Sequence, residues 1–219
     1  MLVFILSTGL TLLEELFDAK QKKQEADNEK SKAELNSLKS QINPHFLFNT
    51  LNGIYSLSLE NSPKTPEAIM KLSGLMRYAL TEVDAEFVPL AAEIEYIHQY
   101  IDLQKIRITD NTEVTFTKTG DVDSWIIAPL LISPFVENAF KYGVSTNAQS
   151  WIKIAVDATN KLLSFTFENK VINTIHANNT KLGISNVKNR LLLIYPGLHE
   201  LKIINDKDIF FVSLKIWKK

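Results

Sequence analysis

The chain has 219 residues, 45% hydrophobic and 22% charged, with 24 basic side chains against 25 acidic ones. That content is ordinary for a globular protein and excludes wholesale disorder and a polytopic membrane protein. The near-neutral total gives no electrostatic footprint for nucleic acid, and without cysteine there is no disulfide, thiolate zinc site or cysteine nucleophile.

The opening, 2–13, is apolar for about a dozen residues. As a helix it would reach roughly 18 Å, short of the ~30 Å hydrocarbon layer. It has no basic leader or small-residue cleavage site. It reads either as the end of a membrane helix or as a buried or dimer-forming helix, and the charged run that follows favours the first. From 14 to 40 the chain is dense in Glu, Lys, Gln and Ala, all good helix formers, and is expected to be a solvated connecting helix. Leu35, Leu38 and Ile42 have coiled-coil spacing, weakened by the polar stretch before them.

Asn61-Ser62-Pro63-Lys64-Thr65-Pro66 is a turn by composition. Beyond it, Ile69, Leu72, Leu75, Met76, Ala79 and Leu80 have the spacing of an amphipathic helix. A further helix is expected from Leu90 to about Ile106. Texture then changes. Short apolar runs at 114–117, 151–156, 162–167, 201–204 and 210–216 predict strands, with 157–161 as a hairpin loop and helices at about 130–142 and 184–195. A helical first part thus precedes an α+β second part.

Three clusters carry possible chemistry. His45 follows Pro44 in Gln41-Ile42-Asn43-Pro44-His45-Phe46-Leu47-Phe48-Asn49-Thr50-Leu51-Asn52. A proline inside a helix loosens it, and a histidine there is easily exposed as a nucleophile that is largely neutral near pH 7. The spacing alone leaves open a packed histidine at a helix boundary. In Pro134-Phe135-Val136-Glu137-Asn138-Ala139-Phe140-Lys141-Tyr142-Gly143, the side chains Asn138, Lys141 and Tyr142 share a helix face. An amide oxygen suits Mg²⁺, and an ammonium can balance phosphate charge; Gly143 would serve as a helix end. In Lys181-Leu182-Gly183-Ile184-Ser185-Asn186-Val187-Lys188-Asn189-Arg190-Leu191, a glycine opening a helix would leave amides free for an anion. His98, His176 and His199 have no metal-ligand spacing.

Together, in this order over roughly 35–219, these segments resemble the LytS/YehU-type sensor histidine kinases, the membrane-bound partners of LytTR-type response regulators. The run 38–52 resembles that family's phosphoacceptor box, 136–143 its N box and 183–191 its last glycine box. The resemblance implies an α+β chain: a helical-hairpin dimerisation and phosphoacceptor domain over 41–86, then a Bergerat-type (GHKL) α/β sandwich that binds ATP over 87–219. Ahead of them would stand the end of a membrane helix (1–13) and a signalling connector (14–40). It implies that His45 is the phosphoacceptor, that Asn138 holds Mg²⁺, and that Lys141, Tyr142, Glu168, Gly183 and Asn186 bind ATP. It also implies a homodimer on the cytoplasmic side of the cell membrane, attached through its N-terminal segment. Its partner would be the receiver domain of a response regulator, with no direct contact to nucleic acid.

The sequence departs from that pattern in places. In Phe167-Glu168-Asn169-Lys170-Val171, Glu168 stands at the acidic position of the adenine box, but the glycines are replaced. Lys181 stands where a glycine is expected, and 171–180, the lid segment, is short and rich in asparagine. Pro134 lies one turn before Asn138. These departures motivate a second reading, a dimeric signalling scaffold of the same fold with weak or absent ATP binding.

Overall fold

The structure is a computed structural model that describes residues 20–21, 44–82, 85–172, 180–206 and 208–218. The expected membrane segment (1–13), nearly all of the connector (14–40) and residues 173–179 of the lid segment lie outside the described residues. No helix among the described residues is long and apolar enough to cross a membrane. The chain divides into two units, Met1–Leu47 and Phe48–Lys219.

Helix α1 (Pro44–Leu59) ends in a way its sequence explains. Asn61 takes a left-handed φ of 51°, a conformation that asparagine tolerates better than most residues. The Ser62 amide then donates to the Leu57 carbonyl at 2.9 Å and the Asn61 amide to Ser58 at 3.1 Å, which satisfies two carbonyls of the last turn. Pro63 follows and blocks continuation. Helix α2 (Thr65–Thr81) begins with Pro66 in its first turn and buries Ala68, Leu72, Leu75 and Ala79. Leu72, Leu75 and Ala79 are among the apolar positions expected from spacing; Ala68 is an addition, Met76 is half-buried, and Ile69 and Leu80 face solvent.

Helix α2 packs along helix α3 (Leu90–Lys105). Lys71 on α2 donates to Asp102 on α3 at 2.6 Å, and the Tyr78 and Tyr96 rings lie 5.0 Å apart. Gly74 sits where the Gln99 side chain crosses. Strand β1 (Val88–Pro89), just before α3, pairs antiparallel with β3 (Ile126–Ile127). The Leu90 amide donates to the Trp125 carbonyl at 2.9 Å and pins the start of α3 to that ribbon.

The remaining strands form one five-stranded sheet. They are β2 (Thr112–Gly120), β4 (Ser150–Ala158), β5 (Leu162–Lys170), β6 (His199–Asn205) and β7 (Ile209–Trp217), in spatial order β2-β4-β5-β7-β6. Only β2 and β4 run parallel; the other neighbours are antiparallel. Each expected strand lies inside an observed one, and the two-residue strands β1 and β3 are additional. Helices α4 (Ser133–Gly143) and α5 (Thr180–Ile194) complete the fold. The Phe135 ring of α4 lies 5.3 Å from Phe167 of β5, so the face carrying Phe165, Phe167 and Asn169 is the one that α4 covers. With period-two alternation, Ser164, Thr166 and Glu168 occupy the opposite, more open face. The architecture is the α+β class read from the sequence, a helical pair followed by helices on one face of a mixed sheet.

Candidate functional site

Helix α4 is fixed by what its apolar residues bury. Phe135, Val136, Ala139 and Phe140 are enclosed against β4, β5 and α3, and the Tyr100 ring meets Phe140 edge-on at 5.8 Å. That packing leaves Asn138 and Tyr142 one turn apart on another side of the helix. Asn138 Nδ2 is buried without a hydrogen-bond partner. An unpaired buried amide carries a desolvation cost of about 1–3 kcal/mol, which an incoming polar ligand would relieve. Lys141 is exposed, and its Nζ lies 5.2 Å from the centre of the Tyr142 ring. The structure therefore brings Asn138, Lys141 and Tyr142 together, as the helical spacing suggested.

Gly143 ends α4, but not in a left-handed cap, since its φ is not positive. Close approach is the reason for glycine there. A Cβ at Gly143 would stand 2.9 Å from Asn169 Cβ and 3.1 Å from Ile152 Cγ1. This contact identifies Asn169, buried at 1% exposure, as the β5 side chain beside the end of α4. Its Nδ2 donates to the Lys170 carbonyl at 3.0 Å. Glu168, the expected adenine acceptor, is one residue away and so on the opposite face of the sheet. Where the family pattern has glycines and this chain does not, Lys170 pairs with Ile209 and the Val171 amide donates to the Asp208 carbonyl at 2.9 Å.

Helix α5 starts at Thr180, so Gly183 lies inside its first turn rather than at its opening. Among the described residues nothing comes within 4 Å of a Cβ built on Gly183, so packing does not demand glycine. Asn186 is exposed one turn later. The exposed side chain of His45 is the second residue of α1 as described; the turn before it lies outside the described residues. No cluster of three or more His, Asp or Glu suited to a metal occurs among the described residues.

Glu93 gave no signal in the sequence. Sitting in the first turn of α3, it is fully buried. Its Oε2 accepts from the Tyr78 hydroxyl at 2.7 Å and from the Leu130 amide at 3.0 Å. Burial pushes its carboxyl pKa up, opposed by those hydrogen bonds, by the Ile132 amide and by the Arg190 guanidinium. Burial also pushes the Tyr78, Tyr96 and Tyr100 hydroxyls well above the usual phenol range.

Comparison with known proteins adds a family to this geometry. Residues 33–112 match the family model described as histidine kinase. The sensor histidine kinase YpdA of Escherichia coli K12 is 33% identical over 197 residues, 83% of this chain and 34% of YpdA. Over these residues the chain is similar to histidine kinases. Sensor protein LytS of Oceanobacillus iheyensis is 28% identical over 193 residues, 79% of this chain and 32% of LytS. The chain thus spans about one third of the length of these relatives. Among solved structures, the catalytic domain of histidine kinase ThkA aligns with 60% of this chain and 94% of its own, at 15% identity and a TM-score of 0.45.

Proposed function

We propose that the chain is the transmitter part of a LytS-type sensor histidine kinase, which phosphorylates His45 from ATP and passes the phosphoryl group to an aspartate of a response regulator, of the LytTR type. The observation that carries this reading is Asn138 Nδ2, a buried donor without a partner on a helix face shared with Tyr142, which a phosphate oxygen would satisfy. The residues present fit Mg²⁺ and a triphosphate. Mg²⁺, when bound, supplies charge neutralisation at the phosphates. Asn138 would hold the ion through its amide oxygen. Lys141 would balance phosphate charge and Tyr142 would lie along the nucleotide. Gly183, with open space where a side chain would stand, would let the backbone approach the phosphates, with Asn186 one turn on. At the base, Asn169 is better placed than Glu168, because it faces α4 and offers both a donor and an acceptor.

A neutral ring nitrogen of His45 would attack the γ-phosphorus. The bond from phosphorus to the ADP oxygen breaks, and the proton on the other ring nitrogen is released to solvent or base. The phosphoramidate then yields its phosphoryl group to an aspartate carboxylate, restoring the imidazole. The chain's own part is positioning and charge balance rather than covalent chemistry. A second copy is the expected partner of the hairpin. Phe48, Tyr55 and Leu59 on α1 and Ile69, Met70 and Leu80 on α2 are large, apolar and 51–68% exposed, which supports homodimerisation over 41–86. Attachment to the cytoplasmic side of a membrane through the segment before residue 14 completes the reading.

The scaffold alternative draws on one observation, the regular strand pairing at Lys170 and Val171 in place of a glycine turn. Calorimetry with a nonhydrolysable ATP analogue and Mg²⁺ separates the two. The kinase reading expects micromolar binding to the wild type and a loss of at least tenfold in Asn138→Ala. Absence of binding by a folded chain supports the scaffold and overturns the kinase.

A further inference from the structure

The segment 128–132, just ahead of α4, is held from three helices. Its Leu130 takes a left-handed φ of 53°, a conformation disfavoured for a leucine and maintained only where surroundings over-determine it. Glu93 of α3 accepts from the Leu130 amide at 3.0 Å. Arg190 of α5 donates from Nη2 to the Pro129 carbonyl at 2.8 Å, and the Tyr195 hydroxyl accepts from the Ala128 amide at 2.9 Å. Ser133 Oγ, at the start of α4, donates back to the Leu130 carbonyl at 3.2 Å. The same Glu93 oxygen that holds Leu130 also accepts from Tyr78 of α2 at 2.7 Å.

We propose that Glu93 is a positioning residue that couples helix α2 to the nucleotide site. One carboxylate oxygen joins a hydroxyl of the phosphoacceptor hairpin to the turn that aims Asn138. When α2 lies against α3, Tyr78 satisfies this oxygen, Glu93 keeps its bond to Leu130, and α4 presents Asn138. When α2 moves away, a fully buried carboxyl loses its side-chain donor and is left with the Leu130 and Ile132 amides. The cheapest relief is for Glu93 to shift, which releases the strained Leu130 turn and with it the pitch of α4. Arg190 extends the same coupling to α5, which carries Gly183. Coupling is reciprocal: a nucleotide that fixes Asn138 favours α2 seated on α3. This inference rests on the nucleotide-site reading above but concerns residues that touch no nucleotide.

The test is a cycle of Tyr78→Phe, Glu93→Leu and the double variant in the full chain, each checked for folding by circular dichroism. Tyr78→Phe removes one hydroxyl far from the nucleotide. The expected result is a weakening of Mg²⁺–nucleotide analogue binding by about fivefold, the lower end of typical coupling. The KM for ATP in His45 phosphorylation rises by the same factor, while kcat changes less than twofold. In the Glu93→Leu background, which leaves no acceptor for either donor, the Tyr78→Phe effect vanishes. A merely structural role would instead lower kcat through loss of folded protein and leave KM unchanged. Unchanged affinity in Tyr78→Phe, or effects that multiply independently, overturns the coupling. If the wild type binds no nucleotide, the kinase reading fails separately. Hydrogen exchange at the 130–138 amides then decides, with faster exchange in Tyr78→Phe supporting the coupling and equal exchange refuting it.

Discussion

Gly143→Ala is a sharp test of how α4 meets the sheet. The new methyl carbon would start 2.9 Å from Asn169 Cβ and 3.1 Å from Ile152 Cγ1, both well inside van der Waals contact. Neither neighbour is the free end of a flexible chain: one is a Cβ on β5, and the other belongs to a fully buried isoleucine on β4. The strands or the helix must therefore move. Overpacking of this kind costs about 1–3 kcal/mol. The lower entropy of the unfolded alanine chain and its better helix propensity return about 0.5–1 kcal/mol. Because neither contact can give easily, the cost falls in the upper half of that range, about 2–3 kcal/mol, and a net loss of about 1–2.5 kcal/mol remains, a fall of roughly 2–10 °C in Tm for a chain of this size. Urea denaturation followed by circular dichroism measures it, and the m value should be unchanged because the folded state keeps its compactness. Displacement of Asn169 would also weaken nucleotide binding. A variant as stable as the wild type, or more stable, would refute the close approach of α4 and β5.

Gly183→Ala is the converse case. The open surroundings expect no loss of stability, with a gain of up to about 1 kcal/mol by thermal denaturation, while analogue binding weakens severalfold; intact binding would remove Gly183 from the site. Phe48→Glu combined with Met70→Glu places charge on the exposed apolar faces of both hairpin helices, and sedimentation should show a monomer; a persistent dimer would place the interface elsewhere. Glu93→Gln should remove a pH dependence. Burial raises the Glu93 carboxyl pKa above its unfolded value, so folding favours the protonated form. Its contribution is full below the ordinary glutamate range of about pH 4.3 and is lost as pH climbs through the raised value. The stability of the wild type relative to Glu93→Gln should therefore fall as pH climbs above about 4.3, with Tyr78 and Arg190 still present in both. A constant difference across that range would contradict the shift.

Much of the fold was legible because periodicity reports burial directly. The apolar stripe Leu72, Leu75 and Ala79 marks the inner face of α2, and alternation in 162–167 marks β5. Asn138, Lys141 and Tyr142 were legible as a set because helical spacing alone places them near one another. The adenine side was less legible, since Glu168 and Asn169 differ by a single residue and which of them faces α4 depends on strand register. The role of Gly143 was hidden for a related reason: glycine at a helix end suggests a left-handed cap, whereas the need here is close approach to a residue 26 positions later in the chain. Glu93 carried no local signal, because an acidic residue in a first helical turn is common. Its partners Tyr78 and Leu130 lie 15 and 37 residues away, and only tertiary packing joins them.

The most direct measurement of the central claim is to incubate the chain with Mg²⁺ and γ-labelled ATP and locate the label. The account predicts acid-labile, base-stable label on the imidazole of His45, abolished in His45→Gln and strongly reduced in Asn138→Ala. Label that survives His45→Gln, or none from a folded wild type that binds the nucleotide, would contradict it.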